Sequence, residues 1–238
     1  MKIFKQKKLR AFIFLFSVFL SLSVALLFTG CIGCNEPLDR LFAQVSELRE
    51  NIFIGESDNF SIKIITGLRE DPFLMDGHAG ITRDFTLITI TPKNENSDSS
   101  YSFNTTINGT NFRGEFLAHP FNITLSADLN IRANQNEIIV TIINSGGTEE
   151  NISTKSVVTE QMIDSTKALE IAQNKLKNSL ETFKSGGELK AEIYIRLLAN
   201  PIDNSGGFYW YVAFIGTCGT IFAVLICPIE VQVLAVRN

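Results

Sequence analysis

Histidine is scarce in this chain. Only His78 and His119 are present, so a Ser-His or Cys-His catalytic pair has to use one of them, and no G-x-S-x-G elbow occurs. H-E-x-x-H, a P-loop and an EF-hand loop are also missing, and no second C-x-x-C exists to pair with Cys31 and Cys34. His78 sits in the loop-like segment Met75-Asp76-Gly77-His78-Ala79-Gly80, and His119 precedes Pro120 after a strand. A metal site needs three or four convergent donors, so both histidines read as surface loop residues. The densest acidic neighbourhood is Glu70, Asp71, Asp76 and Asp84. Paired carboxylates can hydrolyse glycosides, but this segment reads as a solvated loop. A non-enzymatic protein without a cofactor is therefore expected. Basic residues are unevenly spread: Lys2, Lys5, Lys7, Lys8 and Arg10 all precede the first acidic residue, Glu36. The chain beyond that basic start is more acidic than the whole-chain charge of −4, which disfavours nucleic acid as a partner.

The basic start is followed by an uncharged run of 19 residues from Ala11 to Thr29, an export signal or an uncleaved membrane anchor by length and composition. Leu27-Phe28-Thr29-Gly30-Cys31 resembles a bacterial lipobox. That resemblance implies a signal peptide over 1–30 and an acylated Cys31, with Gly33-Cys34 a second candidate. Two or more acyl chains such as palmitate hold a protein stably on a membrane where one does not. Basic residues before the span keep the leader inside, so the expected location is the extracytoplasmic face of the cell membrane.

Segment 31–52 reads as a tether and a short amphipathic helix, from Glu36 to Asn51, with Leu38, Leu41, Phe42, Val45 and Leu48 spaced by three and four. From Phe53 the apolar period drops to two, and β-branched and aromatic runs recur to Val158. Phe60 to Thr66 and Asp84 to Thr91 are expected strands. Asn108-Gly109 predicts a type I′ hairpin, pairing Ile107 with Thr110, Thr105 with Phe112 and Phe103 with Gly114, so that one face takes the large apolar residues. A further strand is expected from Phe121 to Ile131. Short one-sided strands without helical crossovers predict an antiparallel β-sandwich over 53–158, with an Ig-like order one of the compatible topologies.

Ala168, Leu169, Ala172, Leu176, Leu180 and Phe183 then form a helical stripe after Asp164 or Ser165, ended by Ser185-Gly186-Gly187. Strands are expected at Glu188 to Ala199, Phe208 to Gly216 and Thr220 to Ile226, giving a small α+β module over 159–238 with a three-stranded antiparallel sheet. Phe208 to Ile229 carries no charge over 22 residues, long enough for a membrane helix. The central Gly216-Thr217-Cys218-Gly219-Thr220 and the aromatic, β-branched flanks favour a hairpin instead. In a hairpin Cys218 and Cys227 stand roughly 25 to 30 Å apart and cannot bond. Both hairpin faces are apolar, so the face not covered by the helix must meet the sandwich, a second subunit or a ligand.

Met162 to Ala172, then Trp210-Tyr211-Val212-Ala213-Phe214, then Ile221-Phe222-Ala223-Val224-Leu225-Ile226 resemble a PepSY-type domain across the last seventy or so residues. Such modules occur in propeptides of secreted metallopeptidases and in envelope proteins. The resemblance implies an interaction module that restrains a peptidase or binds another envelope protein. Tyr209, Trp210 and Tyr211 are the expected contact residues, because aromatics anchor such interfaces. Two alternatives stand beside this reading: a solute- or glycan-binding protein using the loop from Arg69 to Asp84, and a secreted hydrolase using His78 or His119.

Overall fold

Segments of alternating inward and outward side chains fix most of the architecture. A computed structural model describes residues 36–94, 100–200 and 207–238; the leader, Cys31 and Cys34 lie outside them. Among the described residues, fifteen strands and two α-helices occur in the order α1 (Leu38–Phe42), β1 (Val45–Glu56), β2 (Phe60–Glu70), β3 (Thr82–Pro92), β4 (Tyr101–Ile107), β5 (Thr110–Glu115), β6 (Leu117–Ala118), β7 (Leu125–Leu129), β8 (Glu137–Asn144), β9 (Glu149–Ser156), α2 (Ser165–Leu180), β10 (Lys184–Ser185), β11 (Glu188–Leu189), β12 (Ala191–Ala199), β13 (Phe208–Gly216), β14 (Ile221–Cys227) and β15 (Gln232–Arg237).

One long strand, β1, joins two packed regions. Its first half pairs in parallel with β12, Val45 opposite Ile193 and Arg49 opposite Arg196, while Phe53 and Ile54 near its end pair with β9. From β12 the sheet continues through β13 and β14 to β15; on the other side of β1 it continues through β2 and β3 to β7 and β6. Strands β9, β8, β4 and β5 form the opposing layer of a sandwich. Phe53, Ile62, Ile64, Ile88, Ile90, Phe103, Ile107, Ile138, Val140 and Ile152 fill that sandwich. A second core lies under α2, where Leu41, Leu48, Leu169, Leu176, Ile193, Ile195, Trp210, Phe214, Val224 and Ile226 meet. Residues 36–238 are one compact unit holding both cores. Thr66 sits on β2 between Ile64 of the first core and Leu68 of the second. Its buried hydroxyl donates to the Phe85 carbonyl (3.1 Å) and accepts from the Ala133 amide (2.8 Å), so this buried polar group is satisfied.

The hairpin adopts the expected register, Ile107 with Thr110, Thr105 with Phe112 and Phe103 with Gly114. Asn108 and Gly109 both have positive φ, 50° and 78°, as a type I′ turn requires. Helix α2 begins at an Asp164 N-cap whose carboxylate accepts from the Lys167 amide at 2.8 Å. Phe208 to Ile229 contains the β13–β14 hairpin, and no helix among the described residues is long and apolar enough to cross a membrane. Cys218 and Cys227 are free thiols.

Three expectations are corrected. The helix of Glu36 to Asn51 stops at Phe42, and Val45 onward is strand. A bulge between Val45 and Glu47 lets Val45 and Leu48 share one side of the sheet despite a spacing of three, which imitates helical periodicity. The strand placed at Phe121 to Ile131 begins only at Leu125. Pro120 and the Asn122 side chain, which accepts from the Thr124 amide at 2.9 Å, hold a turn that leaves Phe121 92% exposed. Finally, the C-terminal sheet is not three-stranded, since β15 and β1 extend it at either side.

Candidate functional site

Alternation along β12 puts Ile193, Ile195 and Leu197 against α2 and sends Glu192, Tyr194 and Arg196 to the opposite face. Register carries that second face outward: Arg196 lies beside Tyr211 and Leu198 beside Tyr209 on β13. In the other direction it includes Glu47 and Arg49 on β1, Arg69 on β2 and Arg83 on β3. The loop between β2 and β3, Asp71 to Ile81, folds over part of it. An Asp71 amide to Ile81 carbonyl bond of 3.0 Å closes the loop base. The Phe73 ring lies 5.9 Å from the Tyr194 ring. Gly77, at φ +83°, packs on the backbone of Gly216 and Thr217, where a Cβ would stand 2.6 Å from the Thr217 Cα. The second face of the β13–β14 hairpin is thus partly covered by a loop of the same chain.

Between loop and sheet lies a half-open groove of about 340 Å³ lined by Glu47, Arg49, Arg69, Glu70, Asp71, Phe73, Arg83 and Arg196. Its four guanidiniums share few carboxylates. Glu47 accepts from Arg49 Nε (2.6 Å) and Arg196 Nε (2.5 Å). Asp128 bridges Arg69 and Arg83, and Asp71 takes Arg83 Nε at 2.6 Å. Arg69 also rests on the Phe85 ring (4.9 Å) and Arg196 on the Tyr194 ring (4.4 Å). The Asp128 carboxylate is the main cause that raises the pKa of Arg83. Because each guanidinium carries five N–H donors, the groove is rich in donors beyond those its own carboxylates engage.

Glu47 has only 7% of its side chain exposed while serving two arginines. Replacing it by glutamine leaves two neighbouring like charges without their shared counter-ion. A loss of about 2 kcal/mol is expected at neutral pH, the scale of hydrogen bonds to charged groups, and urea denaturation of the two proteins measures it.

Beneath the loop is a second polar group of residues. Glu192 is fully buried, Tyr194 3% exposed and Glu70 5% exposed. The Ser46 hydroxyl donates to Glu192 Oε2 at 3.1 Å, but Glu192 Oε1, Glu70 Oε2 and the Tyr194 hydroxyl make no hydrogen bond of good geometry, although the Tyr194 hydroxyl and the Gly77 amide lie close enough to Glu192 to act on it. Burial is the main cause that pushes the Glu192 carboxyl above the usual carboxylate range; the Ser46 hydroxyl, the Gly77 amide and the Tyr194 hydroxyl oppose it, and the negative charge of Glu70 adds the smallest contribution. Burial, then the Glu192 charge, raises the Tyr194 phenol.

Sequence-expected residues are distributed unevenly around this face. Tyr209 and Tyr211 are half-buried on it. Trp210 points the other way: it is 2% exposed in the core under α2, and its indole N–H donates to the Ile163 carbonyl at 2.9 Å. It is a packing residue and is not available as a contact anchor. Within the acidic neighbourhood read as a solvated loop, Asp71 and Asp76 are exposed but Glu70 is buried. His78 is exposed on the loop, and His119 is exposed at the far side of β7, accepting from the Phe121 amide at Nδ1 (3.2 Å). The structure does not bring the two histidines to the groove lining. Glu47, Arg49, Glu192 and Arg196 were not singled out in the sequence. The available signal was a pair of charges four residues apart, on one face of an otherwise largely apolar strand, Glu192 and Arg196 in β12. No group of three or more metal-ligating side chains occurs among the described residues. No protein-family model, curated protein or solved structure matches the chain.

Proposed function

We propose that this chain is a non-enzymatic lipoprotein, fastened through Cys31 to the extracytoplasmic face of a bacterial cell membrane, that binds a protein or peptide segment along the groove from Tyr209 and Tyr211 to Arg83. One observation carries the reading: four partly buried arginines, two of them lying on aromatic rings, present more N–H donors than Glu47, Asp71, Asp128 and the Asn130 side-chain oxygen engage. Bidentate guanidinium donors recognise carboxylates, so the segment bound is acidic or ends in a free carboxylate. The PepSY-like pattern of the C-terminal module favours an envelope peptidase as the source of that segment. A solute- or glycan-binding protein is the second reading, favoured by the same loop, since Arg69, Glu70, Asp71, Phe73 and Arg83 line the groove.

Selection from a random phage-displayed peptide library, on the full chain in detergent micelles, tests the proposal. Peptides rich in Asp or Glu are expected, and Arg196→Ala is expected to weaken the best of them at least about tenfold, equivalent to ~1.4 kcal/mol. Peptides of no charge preference that bind Arg196→Ala and Tyr211→Ala as well as wild type would overturn it. An acidic glycan array screened in parallel addresses the second reading.

A further inference from the structure

The orphaned oxygens under the Asp71–Ile81 loop need an account. Buried polar groups are nearly always paired, and a buried carboxylate without a counter-ion is costly. Here Glu192 on β12 is fully buried, and Glu192 Oε1, the Oε2 of Glu70 on β2 and the Tyr194 hydroxyl are buried without a hydrogen bond of good geometry. The groups facing Glu192 are Ser46 from β1, Glu70 from β2, Tyr194 on its own strand and the Gly77 amide of the loop. Glu47 and Arg196 act on the adjoining Tyr194, and both are already engaged with each other. On β13 the register neighbour is the apolar Ile215. The loop's own charges are occupied elsewhere: Asp71 pairs with Arg83, and Asp76 accepts from the His78 amide at 3.0 Å.

Nothing in that set is an unengaged cation that would neutralise a Glu192 carboxylate, whereas a proton on Glu192 does. Full burial of the Glu192 carboxyl disfavours its charged form. The lid over it is the loop itself, seated by Gly77 on Thr217 and by Phe73 on Tyr194. Lifting the loop would hydrate Glu192.

We infer that the Asp71–Ile81 loop is a proton-operated wall of the groove, seated while Glu192 carries its proton and released when that proton passes to solvent. A carboxyl that holds its proton more tightly when buried contributes its full stabilisation below the ordinary carboxylate range. That contribution is lost as pH rises through the raised value. Alkaline shift therefore loosens the loop and widens the groove, and mild acid closes it. The inference concerns the regulation of the groove proposed above, yet loop seating needs no ligand, so it stands or falls separately from peptide binding.

Hydrogen exchange of the ligand-free full chain in detergent micelles, from pH 4.5 to 8, tests it. Protection factors, corrected for intrinsic exchange, are read for residues 72–81. Wild type is expected to lose protection on raising the pH, by up to about tenfold per unit, the limit for one proton, with strands β8 and β4 unchanged. Glu192→Gln, neutral and of the same shape, is expected to hold protection constant across the range. His78→Gln is expected to keep the wild-type dependence. Flat protection in wild type, an unaltered dependence in Glu192→Gln, or a dependence abolished by His78→Gln would each overturn the inference. Far-UV circular dichroism confirms that each variant is folded, and Glu70→Gln, expected to reduce the dependence, supplies a second variant if Glu192→Gln fails to fold.

Discussion

Trp210→Ala is expected to destabilise the chain by about 3 to 5 kcal/mol, the usual range for truncating a buried tryptophan. The side chain is 2% exposed and stands between Leu197 on β12 and Ile226 on β14. Its indole N–H holds the Ile163 carbonyl, while the Ile163 amide donates to the Pro228 carbonyl at 2.9 Å. Truncation thus opens a cavity in the core under α2 and releases the segment that leads into that helix. Tyr211→Ala, on the opposite face and half-buried, is expected to cost far less stability while weakening ligand binding. Trp210 is the only tryptophan, so urea unfolding of the variants is followed by far-UV circular dichroism. A Trp210→Ala protein with wild-type stability would show that the indole is not a core residue.

Gly67→Ala is expected to cost about 3 kcal/mol, the upper part of the range for overpacking. Gly67 pairs with Arg49 where β1 bulges between Arg49 and Asn51, and a Cβ there would overlap the Leu48 carbonyl oxygen and approach its carbon to 2.8 Å. Backbone of a central strand has no rotamer with which to yield, so the sheet itself must shift. Glycine inside a strand often marks such a close backbone approach. Because β1 belongs to both packed regions, the loss is expected in one cooperative transition seen equally by circular dichroism and by the fluorescence of Trp210. Two separated transitions would contradict a continuous sheet through β1.

Local rules carried the sequence reading wherever one residue decided the geometry. Asn108-Gly109 named its turn, the turn set the register, and the alternation of Phe103, Thr105 and Ile107 named the buried side. Asp164 marked the start of α2 in the same way. Those rules failed where a bulge altered the period, as at Val45 to Leu48, and where a turn cut an alternating run, as at Pro120 to Thr124. The groove was illegible because its residues come from four strands whose order depends on a parallel pairing between β1 and β12, in which Val45 meets Ile193, 148 residues further along the sequence. Tyr209 and Tyr211 were found as part of an aromatic run, but the same run includes Trp210, and only strand direction separates a face toward the helix from a face toward the groove. Glu70 looked solvated because its neighbours Asp71 and Asp76 are; its burial follows from the loop folding back over β12, which no local pattern announces.

The proposal that the open face of the C-terminal sheet is the binding face is tested most directly by hydrogen exchange of the full chain with and without a peptide selected on it. Added protection is predicted in 71–83, 191–199 and 207–216, the loop and strands that bound the groove. Protection confined to the far end of the sandwich, around Asn59, Tyr101 and Asn144, would contradict it.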